Sequence, residues 1–76
     1  MERSDVQAKQ AEGLLFDTYL MANPAATQEW IIFFKKGAGR GFFLVDENDD
    51  VLSFSLLDDA VAELRSLGVK RVELHI

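Results

Sequence analysis

The chain has 76 residues and a mass of 8.5 kDa, contains no cysteine, and carries a formal net charge of -5 at neutral pH. This length fits one domain and excludes a multi-domain enzyme. A hydrophobic fraction of 49% and an aromatic fraction of 11% exclude intrinsic disorder. Burial of apolar surface contributes roughly 115 kcal/mol, and ordering the chain costs about the same, so a chain without disulfides is expected to gain stability by association.

The N-terminal segment is predicted to be a helix over residues 5–22. Good helix formers fill it, Gly13 is its one glycine, and Asn23 and Pro24 stop it. Residues 14–21 are apolar around most of the helix circumference, which exceeds a single core-facing stripe. We therefore expect a further surface to cover this part of the helix.

Three strands are predicted next, as a β-meander over residues 29–54. Apolar, β-branched and aromatic runs are separated by a glycine-rich turn and by an acidic turn at residues 46–50. The run at residues 30–34 does not alternate between apolar and polar side chains. Such a strand is either central and covered on both faces, or covered on one face by a second subunit.

The last part of the chain predicts a helix over residues 56–67 and a final strand over residues 69–76. The helix carries one apolar stripe and ends before Gly68, and the strand alternates cleanly. The predicted order is α-β-β-β-α-β. We expect an α+β two-layer sandwich with a mainly antiparallel meander sheet, in one domain spanning residues 1–76.

The net charge lies entirely in the second half of the chain. Residues 1–40 contain five acidic and five basic side chains, whereas residues 41–76 contain eight acidic and three basic ones. An acidic surface repels phosphate, which disfavours general nucleic-acid binding. The local exception is the turn that carries Lys35, Lys36 and Arg40 among glycines, where an anion or nucleic-acid contact is the alternative to a simple solubilising turn.

The sequence predicts neither an enzyme nor a metal or cofactor site. His75 is expected on the polar face of the last strand, and the serines lack the context of a nucleophile. The acidic turn does not fit the spacing of a calcium-binding loop. Counted from Asp46, Val51 stands where such a loop needs a glycine, and Leu57 stands where it needs a bidentate glutamate. No apolar run reaches membrane-spanning length, and we expect a small cytoplasmic, bacterial protein.

The leading functional hypothesis is a small interaction protein that works by protein–protein association, most simply as a homodimer. Aromatic side chains cluster in three short strands, and an exposed apolar patch usually marks an interface. The candidate contacts are Leu15, Phe16, Tyr19, Leu20, Trp30, Phe33 and Phe43. In the opposing interpretation, the N-terminal helix covers the second face of the sheet.

Two further alternatives stay open from the sequence. One is nucleic-acid binding, with the basic turn against phosphates and an aromatic ring stacked on bases. The other is an acidic mimic of nucleic acid that occupies a basic partner.

Overall fold

The computed structural model describes residues 1–13, 17–36 and 39–75. Within these ranges lie two helices and five strands. They are α1 (Arg3–Ala11), β1 (Asp17–Asn23), β2 (Ala26–Lys35), β3 (Gly41–Phe43), β4 (Ser53–Phe54), α2 (Leu57–Ser66) and β5 (Glu73–His75). The α+β fold class and the mainly antiparallel sheet predicted from the sequence are confirmed.

The first predicted helix is the largest difference from the sequence prediction. The helix expected over residues 5–22 spans only Arg3–Ala11, and residues 17–23 form strand β1 instead. Gly13 has a φ of 80°, and its N–H donates to the Gln10 carbonyl at 3.0 Å, which closes the last helical turn. The excess of apolar side chains that no single helical stripe explained belongs to a strand with two apolar faces.

Strands β1 and β2 form a tight antiparallel hairpin that builds the centre of the sheet. Asn23 pairs with Ala26, and the Asn23 side-chain oxygen accepts a hydrogen bond from the Ala25 N–H at 2.9 Å. Asn23 and Pro24 therefore end the segment as predicted, but they do so as a hairpin turn rather than as a helix stop.

The remaining strands surround this hairpin in the order β3-β2-β1-β5, and β4 also pairs with β2. In a simple meander, β4 would lie outside β3. Here β3 covers only the Phe33–Lys35 end of the ten-residue strand β2, so β4 pairs with Trp30 and Ile31 along the rest of the same edge. The fifth strand is shorter than predicted and runs parallel to β1.

Helix α2 matches the helix predicted over residues 56–67 and connects β4 to β5. One buried cluster joins it to α1 and to a single face of the sheet. The cluster consists of Val6, Leu20, Ile32, Phe34, Leu44, Ala60, Leu64 and Leu67. Both helices thus pack on the same face, which gives the two layers of the sandwich. Neither helix in the described ranges is long and apolar enough to cross a bilayer.

Candidate functional site

The side of the sheet opposite the helices carries the candidate site, and we call it the open face. Side chains alternate between the two faces of a strand, so the neighbours in sequence of the buried core residues point to this side. Within the described ranges no helix packs on it. From β1, β2, β3, β4 and β5 it carries Asp17, Tyr19, Met21, Glu29, Ile31, Phe33, Lys35, Gly41, Phe43, Ser53, Glu73 and His75.

A row of rings crosses the open face from one edge of the sheet to the other. Tyr19 pairs with Phe33, and Phe33 pairs with Phe43. The ring centroids of these pairs are 6.2 Å and 5.0 Å apart, and His75 lies edge-on to Tyr19 at 5.1 Å. These separations lie in the range in which aromatic rings attract one another. We call Tyr19, Phe33, Phe43 and His75 the aromatic row.

The aromatic row is only partly shielded from solvent. Tyr19 and Phe33 are half-buried, and Phe43 is 39% exposed. Ile31 is only 3% exposed although it lies on the open face and outside the core cluster. The open face therefore combines one buried apolar side chain, Ile31, with a row of partly exposed rings.

Gly41 allows the tip of the Phe33 ring to reach over the neighbouring strand. A Cβ atom at Gly41 would lie 1.8 Å from the Phe33 Cζ, well inside the contact distance of two carbon atoms. The last glycine of the basic turn thus has a packing role, and it helps to hold Phe33 within the aromatic row.

The margin of the open face near β1 and β5 is acidic. Partial burial raises the pKa of the Tyr19 hydroxyl above its ordinary value, and the carboxylates of Asp17 and Glu73 add to this shift. Tyr19 therefore stays protonated at neutral pH and presents a hydrogen-bond donor next to two acids. At this edge the His75 Nε2 atom lies 3.6 Å from the Glu73 Oε2 atom, and both side chains are exposed.

The other end of the open face holds a small polar network. The Asn23 side-chain amide donates to the Ser53 hydroxyl at 3.2 Å, and that hydroxyl donates to the Glu29 carboxylate at 2.5 Å. Glu29 is half-buried. This network fixes one carboxylate in the first half of β2, six residues before Lys35.

The structure separates the seven interface residues predicted from the sequence. Tyr19, Phe33 and Phe43 come together in the aromatic row. Leu20 is 1% exposed in the core cluster, and Trp30 packs against that cluster from the helix side. Leu15 and Phe16 lie outside the described residues.

Met21 and Ile31 are open-face residues that sequence reasoning missed. Met21 was assigned to a helix, and Ile31 is one of a continuous apolar run. Counting alternate positions outward from the Tyr19–Phe33 pair would have placed both residues on this face, but that pair becomes visible only when residues 17–23 are a strand.

The three predicted anion-contact residues lie around the turn between β2 and β3. Lys35 ends β2 on the open face, in register with Gly41. The Lys36 N–H donates to the Arg40 carbonyl at 3.2 Å, and both side chains are exposed. Gly37 and Ala38 of the same turn lie outside the described residues.

The acidic turn at residues 46–50 satisfies its own backbone. The Asp46 carboxylate accepts hydrogen bonds from the N–H groups of Asn48 and Asp50 at 2.8 Å and 3.0 Å. This pattern is that of a turn closed by an aspartate side chain. Across the described part of the chain, no group of three or more His, Asp or Glu side chains is arranged to hold a metal ion.

The accessible surface is large for a chain of this mass. It measures 5248 Å², whereas area scaling gives about 4,650 Å² for a folded monomer of 8.5 kDa.

Comparison with protein families, curated proteins and solved structures gives no match to this chain.

Proposed function

We propose that this chain is a small interaction protein that associates with another protein chain through the open face, most simply as a homodimer. The observation that carries the proposal is the aromatic row, which spans the open face and is partly exposed to solvent. Partly exposed aromatic side chains that lie together are the usual anchors of protein interfaces. The cytoplasmic, bacterial setting expected from the sequence belongs to the same proposal.

Charge at the margin favours a protein partner over nucleic acid. Asp17, Glu29 and Glu73 share the open face with a single lysine, Lys35. A phosphate backbone laid along the aromatic row would meet more carboxylates than cations, and its binding energy comes largely from cations.

A single pair of variants tests the proposal. Phe42 and Phe43 are adjacent in β3 and are each 39% exposed, but Phe42 pairs with the core residue Phe34 while Phe43 lies in the aromatic row. Phe43→Gln should weaken self-association by about tenfold or more, because it removes an exposed apolar ring of the aromatic row. The matched control Phe42→Gln should change it by less than about twofold.

Sedimentation equilibrium from low to high micromolar concentration measures this difference, with urea unfolding of each variant as a check on folding. The proposed homodimer fails if the wild-type chain sediments as an 8.5 kDa species throughout this range. The open face is the wrong surface if both variants weaken association equally.

Nucleic-acid binding remains the second candidate because Lys35 lies beside Phe33 on the open face, with Lys36 and Arg40 in the adjoining turn. Single-stranded nucleic acid commonly stacks its bases on rings beside such cations. Titration of a labelled oligonucleotide at low salt would support it only if binding falls with added salt and is lost in the Lys35→Ala, Lys36→Ala, Arg40→Ala triple variant.

A further inference from the structure

The open-face side chains of β2 form an ordered series along the strand. Glu29 lies three residues after the start of β2, Ile31 and Phe33 follow it, and Lys35 ends the strand. A series that begins with an acid, continues with two apolar side chains and ends with a base is complementary to its own reversed copy. Such self-complementarity is what an isologous dimer requires, because each residue then faces a different residue of the same set.

Neither charged end of this series forms an ion pair in the described part of the chain, although Asp17 lies opposite Lys35 across the strands. Lys35 is half-buried and takes part in neither of the ion pairs found there. The Glu29 carboxylate accepts a hydrogen bond from the Ser53 hydroxyl, which leaves its charge without a cation. Each end can therefore gain from an opposite charge supplied by another molecule.

A two-fold axis that lies in the interface and runs across the strands brings these ends together. It stacks β2 on β2 of the second copy with the direction reversed, as in aligned packing of two sheets. Lys35 then lies over Glu29 of the second copy, and Phe33 lies over Ile31 of the second copy.

The neighbouring strands fit the same axis. In β1, Tyr19 lies over Met21 of the second copy. This follows because Tyr19 pairs with Phe33 and Met21 pairs with Ile31 across the strands. In β5, Glu73 lies over His75 of the second copy for the same reason. One symmetry operation thus matches apolar with apolar side chains in β1 and β2 and brings a cation to the Glu29 carboxylate, while Phe43 lies over Ser53 of the second copy.

We infer that the partner of the open face is a second copy of this chain, stacked face to face in this reversed register with Lys35 of each copy against Glu29 of the other. The inference rests on the proposed function, and it adds the identity of the partner and the register.

A rival register has its two-fold axis along the strands. Each open-face residue then faces a residue of the second copy that lies at the same height along the strands. This register places Lys35 over Asp17 of the second copy, and Glu73 over Phe43 of the second copy. That arrangement stacks Phe33 on Tyr19 of the second copy, but it leaves the half-buried Glu29 carboxylate without a cation and places the Glu73 carboxylate against a ring. The reversed register leaves only the exposed Asp17 carboxylate without a cation from the second copy, and it is therefore favoured.

Charge exchange between two variants distinguishes the registers. Lys35→Glu and Glu29→Lys should each weaken self-association by about tenfold, because every homodimer then holds two repulsive pairs. An equimolar mixture of these two variants should associate about as tightly as the wild type, since each Glu at position 35 then meets a Lys at position 29. Asp17→Lys tests the rival register and should not recover association when mixed with Lys35→Glu. The matched control for a reversal of charge is Glu47→Lys in the exposed acidic turn, away from the open face, which should self-associate normally.

Sedimentation equilibrium of each variant and each mixture, with one partner carrying a fluorescent label, gives the readout. Recovery with Glu29→Lys alone supports the reversed register. Recovery with Asp17→Lys, or with neither variant, overturns the register while the association of the wild type stands. A wild-type chain that stays monomeric, whether or not it binds an oligonucleotide, overturns the proposed homodimer itself.

Discussion

At the scale of single residues, the contact between Gly41 and Phe33 links the basic turn to the open face. The glycine lies at the start of β3 directly under the Phe33 ring, where even one methyl group would collide with it. Sequence reasoning treated this glycine as part of a flexible turn, because a ring packed over a neighbouring strand leaves no trace in local composition. The strand pairing is needed to bring the two residues together.

We predict that Gly41→Ala lowers the free energy of unfolding by about 1–3 kcal/mol, the range found for overpacking. In a Phe33→Ala background the same substitution should cost about 1 kcal/mol less, since the colliding ring is gone. Urea unfolding of the wild type, both single variants and the double variant measures this coupling. Equal costs in the two backgrounds would contradict the contact.

At the scale of secondary-structure elements, most of the fold follows from sequence patterns and one element does not. The helix at residues 57–66 and the strands around residues 30–34 and 42–43 were predictable from a clean apolar stripe and from β-branched and aromatic runs. Residues 17–23 were not, because an apolar run beside good helix formers fits either structure. Their pairing with β2, a contact outside the local sequence, decides in favour of a strand.

This difference at β1 carried over to the candidate site. A helix over residues 5–22 assigns Tyr19 and Leu20 to one apolar surface, whereas a strand sends them to opposite faces of the sheet. The prediction that an aromatic surface of the sheet lies exposed did not depend on this segment. The assignment of individual residues to that surface did depend on residues 17–23, and this is why Met21 was missed.

Gly13 is where helix and strand assignments can be separated by experiment. Its φ of 80° is left-handed, so Gly13→Ala should cost about 1–2 kcal/mol, and Gly13→Asn should cost less because Asn tolerates this conformation. Urea unfolding with far-UV circular dichroism reports both stability and helix content. A gain in stability and helicity in Gly13→Ala would instead favour a helix that continues through residue 13.

At the scale of the whole molecule, the two faces of the sheet have separate roles. The buried cluster that joins both helices to the strands lies on one side, and the aromatic row lies on the other. Substitutions at exposed open-face positions therefore change association without emptying the core. The net charge of -5 resides in residues 41–76 and is concentrated in the acidic turn and at the start of α2, which leaves the centre of the open face apolar.

The most direct measurement of the central claim is a dilution series of ¹⁵N-labelled wild-type chain followed by two-dimensional NMR. We predict concentration-dependent shifts of the backbone amides around Tyr19, Met21, Phe33 and Phe43, with little change along the outer surface of α2. Shifts that are absent, or that map to α2 instead, would contradict association through the open face.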